Sequence, residues 1–191
     1  MGLDNIYSGY QITNTKRKLS YPVTIEALKD QICIAQDDLQ ENDMLESYIK
    51  AATAEAEHKI QKDIAFTEVT SQVWDFSGDG VQFWEAPFHS IDSIYRAEDP
   101  STALTYDPKE TRSYYEYWKL VLTSSTSADP LYVTYYTGWE PADCPAEIAL
   151  AIKIRAADYY DVERQSYIPG SLKENKAFDR LLSFYMSTVT V

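Results

Sequence analysis

Few side chains in this sequence could do covalent chemistry. There are two histidines, His58 and His89, and two cysteines, Cys33 and Cys144. A nucleophile needs a base beside it, and a zinc centre needs Cys and His in clustered pairs. Neither spacing occurs here. Nor is there a glycine-rich phosphate loop or a Gly-x-Ser-x-Gly elbow. The adjacent acids Asp37-Asp38 and Glu98-Asp99 are poor acid–base candidates, because working carboxylate pairs converge from separate elements. Asp37, Asp38, Glu41 and Asp43 could gather around a cation, but they lack the glycine and spacing of a calcium loop. The expectation is therefore no catalytic residue, no metal ligand and no cofactor. His58 and His89 are expected at the surface or at a strand edge. Both cysteines are expected to be small buried hydrophobes in a reducing compartment.

The elements that would position any site are easier to read. The chain has 191 residues, 45% of them apolar, enough for one sizeable core or two small ones. The formal charge of −13 is uneven: residues 1–22 carry +2, residues 23–64 carry −6, residues 65–140 carry −8, and residues 141–191 carry −1. A body this acidic does not grip nucleic acid through its phosphates, although it could line a surface past which nucleic acid slides. No apolar run is long enough to span a bilayer, and no membrane association is expected. The N-terminus shows no apolar signal segment, and Ile6 stands where an acylation motif needs Ser or Thr.

Residues 1–20 lack periodicity and read as a flexible arm ending in Lys16-Arg17-Lys18. Thr24 is placed to cap a short helix with Ile25, Leu28 and Ile32 on one face, broken at Gln36-Asp37-Asp38. From about 43 to 62, Leu45, Ile49, Ala52, Ala56 and Ile60 form a helical stripe. From Phe66 to Thr137, β-branched and aromatic runs alternate with turn signals. Strands are expected over 69–76, 81–84, 91–96, 118–122 and 131–137, with weaker runs at 103–106 and 111–115. Turns or loops are expected at Ser77–Gly80, Glu98–Ser101 and Ser124–Pro130. Gly138 ends the last strand. Pro145 suits the first turn of a helix over 146–163, with Ile148, Ile152, Ala156 and Tyr159 on one side and Leu150 and Ile154 well off it. Phe178, Leu181, Leu182 and Tyr185 recur at helical spacing within 172–186. The order helix, helix, β region, helix, helix predicts an α+β fold, in which N- and C-terminal helices form a bundle with an inserted antiparallel β-rich region. The expected divisions are an arm (1–20), N-terminal bundle helices (21–64), a β insertion (65–140), a bundle helix and linker (141–170), and a terminal segment (171–191).

Sixteen tyrosines and four tryptophans are the unusual count. Such rings bury large areas yet keep a polar tip, which suits surfaces that are soluble before they associate. Tyr114, Tyr115, Tyr117 and Trp118 cluster before one strand, and Tyr132, Tyr135, Tyr136 and Trp139 along another. Ordinary β propensity explains part of this. The sharper reading is a protein–protein surface, with Leu150, Ile154, Tyr114, Tyr115, Tyr136 and Trp139 as subunit-interface residues.

The order of motifs resembles the head–tail connector, or adaptor, family of tailed bacteriophages and gene transfer particles, over about Tyr21 to Met186. "VTIEALKDQICIAQDDLQENDMLESYIKAATAEAEHKI" resembles the family's short helix, acidic break and long helix, with Ile49-Lys50-Ala51-Ala52 as its Ile-x-Ala-Ala step. "SQVWDFSGDGVQFWEAPFHSIDSIY" resembles its Trp strand, a Pro-ended strand and a Ser-hydrophobic-x-Ser-hydrophobic strand, at Trp74, Pro87, Ser90, Ile91, Ser93 and Ile94. "LYVTYYTGWEPADCPAEIALAI" resembles the strand, glycine-aromatic pair and Pro-capped helix that follow, at Val133, Tyr135, Gly138, Trp139, Pro145 and Ile148. "AFDRLLSFYM" resembles the terminal segment at Leu181, Leu182 and Tyr185. One departure is Glu163, standing three residues after Tyr160 where the family often has Arg.

The resemblance implies a non-enzymatic virion protein of the neck, assembled in the host cytoplasm. Its copies would form a ring, a dodecamer in the virion, beneath the portal protein. The ring would extend the DNA channel without binding DNA specifically, and would dock a tail-side stopper or tail-completion protein. The family's C-terminal segment embraces the portal, which implies docking through Phe178, Leu181, Leu182, Phe184, Tyr185 and Met186, from a segment separable from the core. Two readings compete: a carbohydrate-binding or adhesion module using exposed Trp and Tyr, and a small hydrolase using paired acids.

Overall fold

The computed structural model describes residues 10–113, 117–164 and 176–186. The fold is α+β: two antiparallel sheets and four helices among the described residues, with more strand than helix. The chain divides into two compact units. Unit 1 holds residues 1–19 and 66–138, and unit 2 holds residues 20–65 and 139–191.

Unit 1 is built from strands. β1 (Gln11–Ser20) opens the chain, and β2 (Phe66–Trp74), β3 (Phe76–Phe83) and β4 (Phe88–Arg96) follow. β5 (Asp99–Ala103), β6 (Arg112–Ser113), β7 (Trp118–Ala128) and β8 (Leu131–Thr137) complete the set. One sheet has the order β1-β2-β8-β4-β5 and the other β3-β7-β6. Alternation does the sorting. In β2, Thr67, Val69, Ser71 and Val73 are buried and their neighbours are not; in β8, Leu131, Val133, Tyr135 and Thr137 are buried likewise. The register sets Val69 opposite Tyr135 and Val73 opposite Leu131. In the second sheet, Val81 lies opposite Leu120 and Phe83 opposite Trp118. The inward faces share one core around Trp118, whose ring lies 4.5 Å from that of Phe83, 4.4 Å from Phe88 and 4.8 Å from Tyr135.

Several local expectations are corrected. Residues 11–20, read as part of an aperiodic arm, form β1; residues 1–9 lie outside the described set. The cause is tertiary: Ile12 packs on the unit 1 core, and Asn14 and Arg17 bond to β2. The turn expected at Ser77–Gly80 falls instead at Asp75, which takes φ 57° between β2 and β3. Gly78 and Gly80 sit inside β3, where the pairing with β7 shifts register. A Cβ on Gly80 would come 2.9 Å from Lys119 Cε, the movable end of a flexible side chain, and 3.3 Å from the Leu120 carbonyl oxygen. The expected 124–130 loop is mostly β7, because Thr126 and Ala128 turn inward; only Asp129-Pro130 connects it to β8. Asp99–Ser101, read as turn, belongs to β5. The weak run at 111–115 reduces to β6 among the described residues, and Tyr106 makes an isolated bridge to Leu122.

Unit 2 holds α1 (Ile25–Ile32), α2 (Asn42–Ile60), α3 (Ala146–Arg164) and α4 (Ala177–Leu182). Thr24 caps α1: its hydroxyl accepts from the Ala27 N–H at 3.2 Å. Cys33, in the left-handed conformation at φ 58°, ends α1 three residues before the expected break. The α2 stripe Leu45, Ile49, Ala52, Ala56 and Ile60 is buried. It shares a core with Leu28, Ile148, Ile152, Ala156, Tyr160, Phe178 and Leu182. Tyr160, not Tyr159, completes the buried side of α3; Tyr159 is half-buried.

Candidate interaction surfaces

Within unit 2, a polar cluster joins α2 to α3. Arg155 Nε donates to Glu55 Oε2 at 2.6 Å and Nη2 donates to Oε1 at 2.7 Å. Tyr159 Oη donates to Glu55 Oε2 at 2.6 Å. The Arg155 guanidinium also lies 5.2 Å from the Tyr159 ring centre and 5.5 Å from that of Phe178. Burial pushes the Glu55 carboxyl up, but the bonds from Arg155 and Tyr159 outweigh it and hold the group below its ordinary value. The same ionised carboxylate raises Arg155. This is a clamp between helices with α4 resting against it.

The C-terminal segment is fastened at several points. Phe178 and Leu182 are buried in the unit 2 core. Lys59 Nζ lies 2.5 Å from Asp179 Oδ1, and Lys62 Nζ lies 3.4 Å from the Tyr185 carbonyl. Tyr185 Oη donates to Glu147 Oε2 at 3.1 Å. Burial, and then that ionised partner, raise the Tyr185 phenol. The six residues implied in portal docking therefore separate. Phe178 and Leu182 are core, and Leu181 and Tyr185 are half-buried against it. Phe184 is 79% exposed and Met186 41% exposed. A segment expected to be separable supplies two core residues, because Phe178 and Leu182, four apart, lie on one face of α4 and that face is turned into the core. Residues 165–175 and 187–191 lie outside the described set.

The subunit-interface candidates are also divided. Leu150 is 40% exposed and Ile154, one turn on, is half-buried, so they share one outward strip of α3. Trp139 is half-buried against the unit 2 core, and its N–H bonds the Ile64 carbonyl at 3.2 Å. In unit 1, Tyr136 is half-buried and stacks on Phe66 at 5.3 Å. Tyr114 and Tyr115 fall outside the described residues.

Other features escaped the sequence reading. Lys29 is buried, and its ammonium donates to the carbonyls of Asp38 at 2.5 Å and Gln36 at 3.3 Å. It thereby pins the α1–α2 loop that carries Leu39, 70% exposed. The only hint was a lysine on the core side of a short helix. In unit 1, Ser71 Oγ donates to Asn14 Oδ1 at 2.6 Å, and Tyr135 Oη donates to Glu85 Oε2 at 2.9 Å. Asn14 Nδ2 reaches the other Glu85 oxygen, closing a polar network that holds β1 on the sheet. Trp84 is 53% exposed beside the Tyr117 ring, 5.6 Å away.

The residues with latent chemistry stay apart. His58 is exposed on α2, and His89 is exposed on β4 with its ring 5.1 Å from that of Phe66. Cys33 is exposed at the α1 C-cap, which corrects its expected burial; the left-handed cap position, not apolarity, sets its place. Cys144 is half-buried, and burial pushes its thiol up to about 11. Among the described residues no three His, Cys, Asp or Glu side chains are grouped to hold a metal ion, and no helix is long and apolar enough to cross a membrane.

No protein-family model matches the chain, and no curated protein matches it. Solved structures do. A chain in the neck of an empty gene transfer agent (GTA) particle, computed with C6 symmetry, superimposes with a TM-score of 0.65 at 15% identity, covering 93% of this chain and 97% of that one. A chain in the virion of a native GTA particle gives 0.66 at 14% identity, with coverage of 93% and 97%. A chain in the neck of a native GTA particle, computed with C12 symmetry, gives 0.64 at 14% identity, with coverage of 94% and 97%. At such identities the likeness establishes a common fold over nearly the whole of both chains.

Proposed function

We propose that this protein is a structural component of the neck of a phage-like or gene transfer particle. In this reading it is a head–tail connector whose copies form a ring beneath the portal, extend the DNA channel and dock the tail or a stopper. The observation that carries this is the shared fold, end to end, with chains of GTA particles, two of them in necks computed with C6 and C12 symmetry. A ring built by rotation requires two different faces on each copy, and repetition multiplies weak contacts into a stable collar. The portal-facing contact is Phe184 and Met186, the exposed apolar residues of the anchored C-terminal segment. The copy-to-copy contact includes Leu150 and Ile154. The protein acts without catalysis.

The charge of −13 fits a channel wall that repels the DNA backbone. Carboxylates of residues 23–64 or of the unit 1 loops would face the bore. A reconstruction of the assembled ring tests this, and a neutral or basic bore would refute it.

A second reading rests on Trp84, half-exposed with Tyr117 beside it: an aromatic platform for sugars. Mixing the purified protein with portal rings and with a glycan array separates the two. Collars on portals with a blank array support the neck role; a monomer that binds glycans and ignores portals supports the other.

A further inference from the structure

Three central strands of unit 1 set side chains in rows on the side away from the core. The buried positions of β2 and β8 alternate with half-buried ones, which therefore turn outward. The register aligns these with β4: Glu68 with Tyr136 and Ser90, Thr70 with Thr134 and Ser93, and Gln72 with Tyr132 and Tyr95. Phe66 and Trp74, the first and last outward positions of β2, bound the face. Arg17 of β1 reaches Glu68 at 3.0 Å, and alternation puts Thr13, Thr15 and Leu19 on the same side as Arg17. Trp74 is 38% exposed and Leu19 43%.

Charge is scarce on this face. One residue in four of the chain is charged, and the net is −13. The three rows hold a single charge, Glu68, and Arg17 neutralises it. Asp92 intrudes only at the bulge between Ile91 and Ser93. The remainder is tyrosine, threonine, serine and glutamine. Scarce charge and abundant tyrosine and hydroxyls mark surfaces that bind protein.

The rings argue against a smaller ligand. Tyr95 and Tyr132 lie directly opposite each other and stack at 5.1 Å with planes 11° apart. That separation is close to the ~4.8 Å between strands, so the two rings stand upright on the sheet, flat side to flat side. A sugar or a nucleobase stacks on a ring that lies face-up. Upright rings present edges and hydroxyl tips, which suit a broad protein surface.

We infer that this sheet face meets a second copy of the chain. The inference rests on the ring reading for the presence of neighbouring copies, and it adds the surface of unit 1 through which they touch. Charge selects the occupant. Copies of net −13 repel one another, so they approach most easily where one presents a neutral face. Area agrees with a ring. Strands about 4.8 Å apart, rising roughly 3.3 Å per residue, give the face of β1, β2, β8 and β4 about 550 Å². A stable free-standing pair buries roughly 800 Å² on each partner, so this contact is weak alone and is reinforced by repetition around a collar.

The test places one charge in the middle row. Thr134→Glu puts it on the face, and Ser125→Glu puts the same charge on the exposed part of β7 as a control. Neither side chain lies in the core, so both variants should melt within a few degrees of wild type. Self-association is read by sedimentation at high concentration, and collar formation by electron microscopy with portal rings. Thr134→Glu should weaken association roughly tenfold, and Ser125→Glu should leave it unchanged. A photoreactive benzoylphenylalanine in place of Tyr136 should cross-link copy to copy within collars, and this arm decides the matter even where Thr134→Glu folds poorly. If wild type forms collars and Thr134→Glu forms them as well as Ser125→Glu does, or the photoprobe reaches only the portal, the sheet-face contact is wrong while the neck reading stands. If wild type forms no collar but self-associates in a way that Thr134→Glu blocks, the contact stands and the neck reading falls. If wild type does neither, both fall.

Discussion

Arg155 grips Glu55 with two parallel bonds, Nε to Oε2 at 2.6 Å and Nη2 to Oε1 at 2.7 Å, across one hundred residues of sequence. The pair joins α2 to α3, the two helices that flank the β region in the chain. Both side chains are about one-third exposed, so water screens the attraction, but the two-pronged geometry and the Tyr159 bond make it stronger than an ordinary surface pair.

Replacing Glu55 by Gln should therefore lower stability by roughly 1–2 kcal/mol, read as a fall in the denaturant midpoint with unchanged slope. The pH dependence has a definite sign. The folded carboxyl titrates below its ordinary 4.5, so its contribution is complete above that value and is lost as pH falls through the lowered one. Wild type and Glu55→Gln should converge in stability at acid pH. A constant gap down to the most acid conditions would show that the clamp is not electrostatic.

Lys29→Met keeps the aliphatic stem but leaves the Gln36 and Asp38 carbonyls without their ammonium donor. The loss should be about 1–3 kcal/mol, with hydrogen exchange rising first across residues 33–41. Exchange that rises uniformly along α2 instead would mean the lysine supports the helix and not the loop.

Cys33 and Cys144 should differ sharply in reactivity. Cys33 is exposed, while the Cys144 thiol is half-buried and titrates near 11, so only about a thousandth of it is thiolate at pH 8. Iodoacetamide followed by mass spectrometry should find Cys33 modified and Cys144 intact in the native protein. Equal labelling would contradict the half-buried position of Cys144.

Phe184 and Phe178 lie six residues apart and should separate docking from folding. Phe178→Ala empties a core site and should cost roughly 3–4 kcal/mol. Phe184→Asp alters an exposed ring and should leave the melting temperature nearly unchanged while abolishing attachment to portal-bearing heads. Attachment that survives Phe184→Asp would move the docking contact elsewhere.

What the sequence disclosed follows from how local each signal is. The α2 stripe from Leu45 to Ile60 and the Thr24 cap were legible because periodicity and capping act within a turn or two. The alternation of β8 was legible for the same reason. β1 was not: its polar residues have weak strand propensity, and it is held by Ile12 in a core and by Asn14 and Arg17 on β2, contacts made more than fifty residues away. The Asp75 turn was hidden because glycines nearby suggested a turn, whereas Gly78 and Gly80 accommodate an irregular pairing with β7. Among the candidate contact residues, the apolar character of Phe178 to Met186 was visible. Which of them face inward was not, because a short helix shows too few turns to fix its phase.

The most direct measurement is electron microscopy of the purified protein mixed with purified portal rings, with class averages taken along and across the ring axis. The neck account predicts a collar of added density on one face of the portal, sharing its rotational symmetry and absent from portal alone. Bare portals beside dispersed single subunits, under conditions where the protein is folded, would contradict it.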